Sequence, residues 1–483
     1  MITLLKSINS FVWGIPTLLL ILGCGLFLSI KTRFFQLAYF PQSLRHFCSK
    51  LLPSKHTDNG VSPYQALCTA LAATVGTGNI AGVAGAITLG GPGAVFWMWI
   101  CAFFGMILKC AEATLAVRFR KRNSLGEYIG GPMYIIEYGL GPGWKWLAVT
   151  YAFFGVVAAF GVGNATQVNA LLGGIHSAVA VFGAEVIPAV DYGIAVVLAV
   201  LVALMLSGGG KRIGAIAERL VPFASIIYLL LGLGVLIVRR QAIPGALQAI
   251  VAGAFSPQAI TGGVIGSFFI SCRIGASRGV FTNEAGMGTA SIAHAAAQVQ
   301  HPVEQGMMGI MEVFLDTIVI CSITALVILC SGIEIPYGLD SGSELTSAAF
   351  SEIYGGWVAV LIAAALILFA LATILGWGYY GMRCAQYLFG DKAFRLFVFL
   401  QAATVILGAV LNTGTVWLLA DTVNGLMAIP NLIALLALSP EFVHLILDFQ
   451  RYIGGTYENI HQCKPLRAVT YAKISSAGGS GTK

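Results

Sequence analysis

A carboxylate, an amide and a guanidinium stand inside one apolar stretch, Ser277-Arg278-Gly279-Val280-Phe281-Thr282-Asn283-Glu284-Ala285-Gly286-Met287-Gly288-Thr289. Groups of this kind are costly in lipid and mark binding or coupling sites. Phe281 suits the cap of a small apolar pocket. Asn283 suits either a hydrogen bond to a ligand or the locking of an unwound turn. Glu284 either neutralises Arg278 or caps a second half-helix, in a coupling role or a structural one.

A second stretch, Ala72 to Gly85, is interrupted at Gly76-Thr77-Gly78-Asn79. The glycines let the chain leave helical geometry without a Cβ penalty. Unwinding bares N–H groups at the new helix start, which suit a carboxylate. It also bares carbonyls at the old helix end, which suit an ammonium group or a small cation. Gly82 and Gly85, with Ala81 and Ala84, read instead as a packing face.

Two further spans add polar groups. In one, Asn164, Gln167 and Asn169 are expected to face the bundle interior, Gln167 either as a donor to a substrate carboxylate or as glue between helices. Thr373 and Trp377, four apart, offer a hydroxyl for a hard cation and a wall for an apolar pocket. Hydroxyl and carbonyl oxygens without carboxylates suit Na⁺ better than Mg²⁺. Glu112, Glu312 and Asp316 also lie within spans; Glu312 and Asp316, four apart, have the spacing to share a proton. Asp421 and Asn424 precede Pro430 and mark a gate or a kink.

These residues need a membrane scaffold to hold them. The chain is 58% hydrophobic and only 10% charged, with a mean hydropathy of +0.86, far from soluble composition. Eleven spans are expected, near 12–31, 62–87, 93–117, 146–171, 188–207, 214–238, 258–298 (broken), 304–331, 356–387, 394–412 and 414–440. The fold class is thus all-α integral membrane. Lys31, Arg33, Arg45, Lys50, Lys55, Arg118 to Arg122, Lys211, Arg212, Lys392, Arg395 and the basic tail fall on one side if the N-terminus is outside and the C-terminus cytoplasmic. Glu334, Asp340, Glu344 and Glu352 fall opposite; Arg239 and Arg240 are the exceptions. The net charge of +7 is this asymmetry and argues for no nucleic-acid partner. The first span, long and followed by its charges, reads as uncleaved. The ten cysteines show no paired spacing and read as core residues without disulfides, and the seven histidines lack ligand spacing.

After the first span, ten remain, five on each side of 239–257, and each five begins with the interrupted helix. A five-span unit repeated once inserts in opposite orientations, the inverted repeat of secondary transporters with a midplane site. The units are 1–57, an extra span and linker; 58–240 and 241–445, the two repeats; and 446–483, a cytoplasmic tail. The second interruption is read at Thr282 to Gly288, with the helix break placed at about 275–284. Segments 239–257 and 332–355 are expected as short helices over the outer vestibule, 125–143 as an interfacial element, and 475–483 as low-complexity and disordered.

Four motifs resemble the alanine or glycine:cation symporter family, the sodium:alanine symporters. They are Gly90-Gly91-Pro92-Gly93-Ala94-Val95-Phe96-Trp97-Met98-Trp99-Ile100 with Ala102-Phe103-Phe104-Gly105; Gly76-Thr77-Gly78-Asn79-Ile80; Arg278 to Gly288; and Ala420 to Asn431. The resemblance spans about 10–460. It implies a leucine-transporter-type fold and Na⁺-driven uptake of small neutral amino acids, chiefly alanine and glycine, across a prokaryotic plasma membrane. A monomer is expected, and an enzyme is not, since no span pairs a nucleophile with a base at helical spacing and no HExxH or GxSxG occurs. The resemblance further implies that Thr77 and Gly78 meet the substrate carboxylate with Gln167 assisting. By the same likeness Phe281 and Asn283 meet the amino group and Trp377 limits side-chain size. Thr74 and Thr373, with carbonyls near Val75, would hold Na⁺, while Gly76, Asn79, Arg278, Glu284, Asp316 and Asp421 would gate or support. The chain departs from the family at Val280-Phe281-Thr282, where Leu-Phe-Ser is expected, and at a missing proline near Ile292. A proton-coupled symporter, and then a channel or sensor, are the competing readings.

Overall fold

The structure, a computed structural model, describes residues 2–51, 60–124, 126–183, 186–339, 341–410 and 413–453. Lys55, Asp340 and the expected low-complexity end at 475–483 lie outside them. The described chain is almost wholly helical, with one two-stranded hairpin, Lys121–Arg122 against Tyr128–Ile129.

Along the chain, α1 (Ile2–Val12) and α2 (Ile15–Lys31) lead to α3 (Pro63–Thr74) and α4 (Ala81–Gly90). Next come α5 (Gly93–Arg118), α6 (Lys145–Phe160), α7 (Thr166–Ala180), α8 (Pro188–Leu206) and α9 (Gly209–Val238). The second half holds α10 (Phe268–Asn283), α11 (Ser291–His294), α12 (Pro302–Val313), α13 (Ser322–Ser331), α14 (Val358–Phe389), α15 (Ala393–Val410), α16 (Thr413–Ala437) and α17 (Ser439–Ile453). Wide π-helical turns at Gly161–Ala165 and Phe314–Cys321 join α6 to α7 and α12 to α13.

Among the described residues, eight helical runs are long and apolar enough to cross a membrane. Two bent pairs, Pro63–Thr74 with Thr77–Gly90 and Asp421–Ala437 with Ser439–Ile453, raise the number to at most ten. The sequence reading has eleven. The difference is the segment at 258–298, whose helix α10 has only 16 residues and carries Arg273 and Arg278.

The first interruption falls where expected. Ser62 and Gln65 form a reciprocal capping box, with Pro63 beside it, so α3 starts sharply. Val75 and Gly76 then turn extended, and the halves meet at 59°. The second interruption overlaps the Thr282 to Gly288 stretch but lies later than the break expected at about 275–284. Through 275–283 the chain is helical; it unwinds only at Glu284, a left-handed non-glycine residue at φ 53°, and stays irregular to Ala290. Gly275 and Gly279 serve packing instead. A Cβ on Gly275 would lie 2.2 Å from the Ala94 carbonyl oxygen, so α10 sits backbone to backbone on α5. Gly309 likewise brings α12 against Lys109 of α5. In lipid such close approach replaces the hydrophobic drive between helices, and α5 becomes the post on which both polar segments are set.

Of the two segments expected over the vestibule, Ser343–Tyr354 packs beside the first interruption, Thr346 Oγ1 donating to the Ile80 carbonyl at 3.2 Å. Ile243–Phe255 instead lies along α5, with Trp97 Nε1 donating to the Ala254 carbonyl at 3.2 Å.

Candidate functional site

The first interruption touches three other elements. A Cβ added to Gly76 would stand 2.5 Å from Thr373 Oγ1, so α14 presses against the bared backbone. That hydroxyl is buried and has no hydrogen-bond partner. Thr74 Oγ1 donates at 3.3 Å to the Ala70 carbonyl. Thr77 Oγ1 donates to Gln167 Oε1 at 3.0 Å, while Gln167 Nε2 donates to the Val162 carbonyl at 3.1 Å across the π turn. The Gln167 amide is therefore occupied at both ends. Asn164 and Asn169 do not reach the first interruption but donate to the carbonyls of Gln401 and Gly408 on α15, with Asn169 also lining the cleft that Gly78 and Phe281 share.

Asn79 organises the break. Its Oδ1 accepts the Gly76 N–H at 2.9 Å, and its Nδ2 donates to Asp316 Oδ1 at 2.6 Å. Thr317 Oγ1 donates to Asp316 Oδ2 at 2.8 Å and accepts from Asn283 Nδ2 at 3.2 Å. Asn283 Oδ1 in turn accepts the Ala285 N–H at 3.0 Å, so Asn283 locks the unwound turn. Asp316 thus ties the two interruptions together. It does not pair with Glu312, whose carboxylate takes Lys109 Nζ at 3.0 Å and His294 Nε2 at 2.8 Å.

Glu284 does not meet Arg278. Its oxygens accept Trp377 Nε1 at 2.8 Å and Thr289 Oγ1 at 2.6 Å. The Trp377 indole is fully buried, held in place by a carboxylate one turn beyond Thr373. Glu112 Oε1 accepts the Gly286 and Gly288 N–H groups at 2.9 and 3.1 Å, plus Asn431 Nδ2 at 2.8 Å. Lys109, His294, Asn431 and Thr317 escaped the sequence reading. The lysine inside an apolar span, three residues before Glu112, is the signal that would have found this cluster.

Arg278 belongs to a different wall. It lines a cleft of about 640 Å³ with Gly78, Phe281, Asn169, Glu344 and Asp421. A Cβ on Gly78 would lie 3.4 Å from Thr282 Cγ2 and 3.7 Å from Phe281 Cδ1, so the cleft reaches to where the first interruption faces the last turn of α10. Asp421 is anchored from the N-terminal helix: Asn9 Nδ2 donates to its Oδ2 at 3.0 Å and Trp13 Nε1 to its carbonyl at 2.8 Å. Near the far end of α14, Arg383 pairs with Glu127 at 2.9 Å beside a separate cleft containing Tyr128, Lys211 and Tyr379. The Arg122 guanidinium donates to the Tyr128 phenol oxygen at 3.0 Å and holds that hydroxyl below the usual phenol range.

Of the residues singled out from the sequence, Gly76, Thr77, Gly78, Asn79, Gln167, Phe281, Thr282, Asn283, Asp316 and Thr373 converge through these contacts. Trp377 joins the Glu284 cluster, and Arg278 and Asp421 stand farther along the cleft.

A model of the sodium:alanine symporter family matches residues 1–461. The sodium/alanine symporter AgcS of Methanococcus maripaludis is 44% identical over 449 residues, covering 91% of this chain and 95% of its own. The amino-acid carrier protein AlsT of Bacillus subtilis is 38% identical over 451 residues, covering 93% and 92%. Among solved structures, MhsT in complex with L-phenylalanine superposes with a TM-score of 0.57 at 14% identity, covering 81% of this chain and 99% of that one.

Proposed function

Since this chain belongs to the sodium:alanine symporter family, we propose that it is a Na⁺-coupled carrier of small neutral amino acids, alanine and glycine, working by alternating access. The carrying observation is the meeting of two interrupted helices, Gly78 against Phe281 and Thr282, at the base of an open cleft. There the bared N–H groups of Thr77 and Gly78 receive the substrate carboxylate at a positive helix end. Gln167 assists once its amide turns from Thr77 and Val162. Phe281 covers the amino group, with Asn283 fixing the turn beside it. Trp377, locked by Glu284, limits the side chain.

Na⁺ travels as co-substrate. The buried, unpartnered Thr373 hydroxyl beside Gly76 fits a hard cation, with Thr74 and the carbonyls near Val75 completing the oxygen set. Na⁺ orders the bared backbone and so raises amino-acid affinity by linkage. Phe268–His294, counted with the ten candidate spans, makes eleven: one extra N-terminal span and an inverted repeat, 58–240 and 241–445, with Asp421 and Arg278 at the outer mouth. The carrier is a monomer in a prokaryotic plasma membrane, N-terminus outside and C-terminus cytoplasmic.

The test is uptake of radiolabelled alanine or glycine by proteoliposomes with an inward Na⁺ gradient. Uptake unchanged when choline replaces Na⁺ removes the coupling. Uptake that then follows an imposed proton gradient establishes the proton-driven alternative. Flux that is neither saturable nor stimulated by countertransport establishes a channel.

A further inference from the structure

Beyond the substrate contacts, α5, α10, α11 and α12 bury an uneven set of charges. Lys109 and His294 flank Glu312 at 3.0 and 2.8 Å, and Glu112 and Glu284 complete the cluster. All five are 0–2% exposed. Lys109 and His294 both point at Glu312, so neither Glu112 nor Glu284 has a basic side chain in contact, in a medium that penalises charge. Glu284 uses both oxygens, on Trp377 and Thr289. Glu112 does not: Oε1 accepts three N–H donors, and Oε2, fully buried, has no partner.

We propose that Glu112 is a proton-binding site whose occupancy controls the unwound segment 284–290. The bare Oε2 lone pair is where the proton attaches. Asn431 links that event to the backbone. Its Nδ2 donates both to Glu112 Oε1 at 2.8 Å and to the Gly286 carbonyl at 2.9 Å, while its Oδ1 has no donor. A proton on Oε2 makes the carboxyl neutral, and Oε1 becomes a weaker acceptor for all three of its donors. It thereby weakens its hold on Asn431 Nδ2, which also reaches the Gly286 carbonyl, and on the Gly286 and Gly288 N–H groups. Protonation therefore loosens segment 284–290 from both α5 and α16. The remaining groups that face Glu112 or its partners are Cys24 on α2, Tyr151 on α6, Tyr380 on α14 and Asp316. None of these is a cation, so none replaces the missing positive charge.

The consequence for flux rests on the carrier reading; the site does not. Infrared titration of the full chain in lipid nanodiscs reads it without substrate. The expected result is a carboxylic-acid carbonyl band that grows as pH falls and is missing in Glu112→Gln. Identical bands in the two proteins overturn the proposal. If the variant does not fold, amide exchange of the wild-type chain decides. Corrected for intrinsic pH dependence, segment 284–290 exchanges about tenfold faster at the acid end, the loss of one charge-assisted hydrogen bond. Unchanged protection there overturns the proposal. Na⁺-dependent flux without the band keeps the carrier and removes the site; the band without such flux does the reverse.

Discussion

Asn79 Nδ2 donates to Asp316 Oδ1 at 2.6 Å, and through that contact the first interruption is fastened to the second. Each break alone leaves bared polar backbone in a segment surrounded by lipid, which is tolerated only where protein satisfies it. Asn79 satisfies the Gly76 N–H and passes the constraint to Asp316, whose other oxygen receives Thr317. Replacing Asp316 with Ala leaves the Thr317 hydroxyl without its acceptor, at about 1–3 kcal/mol, and leaves Asn79 Nδ2 only its longer contacts to the residue-316 carbonyl and Cys321 Sγ, both at 3.3 Å. Asp316→Ala is expected to melt lower in detergent and to lose most alanine binding by calorimetry, with Asp316→Asn falling between. Wild-type affinity in the Ala variant would show that the tie does not hold the site.

Thr373 tests the cation. Its hydroxyl is buried, unpartnered and set against Gly76, an expensive arrangement unless it serves a ligand. Thr373→Ala is expected to raise the Na⁺ concentration for half-maximal uptake about tenfold or more, the effect of losing one ion contact of about 1.5–3 kcal/mol. Alanine binding at saturating Na⁺ should change little. An unshifted Na⁺ curve takes Thr373 out of the cation site.

Trp377 and Glu284 form a buried donor–acceptor pair at 2.8 Å. Trp377→Phe keeps a ring but removes the donor and leaves a carboxylate oxygen unsatisfied, at about 1–3 kcal/mol. The expected outcome is lower thermal stability together with weakened selection against larger side chains, read as competition of alanine uptake by serine and valine. A stability loss with unchanged selectivity would confine Trp377 to scaffolding.

The first interruption was legible because Gly76 and Gly78 bracket Thr77, and glycine lets the chain leave helical geometry without a Cβ penalty. The later one was placed too early, because Gly275 and Gly279 look the same in sequence yet serve contact with α5. Backbone unwinding and backbone packing both call for glycine, and only the neighbour across the gap tells them apart. The Glu284–Arg278 pairing failed for a related reason. The two residues are six apart, and the chain turns left-handed at Glu284, which sends the carboxylate toward Trp377 and leaves Arg278 on the cleft. The grouping of Lys109, Glu112, Glu312 and His294 depends on how α5, α11 and α12 pack, which no local pattern carries.

Beside Trp377, the gap between Gly78 and Thr282 is expected to act as a second limit on substrate size. A methyl group placed on Gly78 would lie 3.4 Å from Thr282 Cγ2 and 3.7 Å from Phe281 Cδ1, ordinary contact distances that fill the gap without forcing the helices apart. Gly78→Ala should therefore fold, retain glycine uptake and lose alanine uptake, since one methylene in such a pocket is worth about 1–3 kcal/mol, or roughly 10–200-fold. Thr282→Ser removes the opposing methyl and should do the reverse, admitting a side chain one carbon larger. Its hydroxyl can still donate to the Gly279 carbonyl, as Thr282 Oγ1 does at 2.9 Å, so α10 keeps its end intact. Competition assays with glycine, alanine and 2-aminobutyrate on both variants give the measurement. Parallel losses for all three substrates in Gly78→Ala would mean that the methyl disturbs the bared backbone itself, and that the size limit lies with another wall.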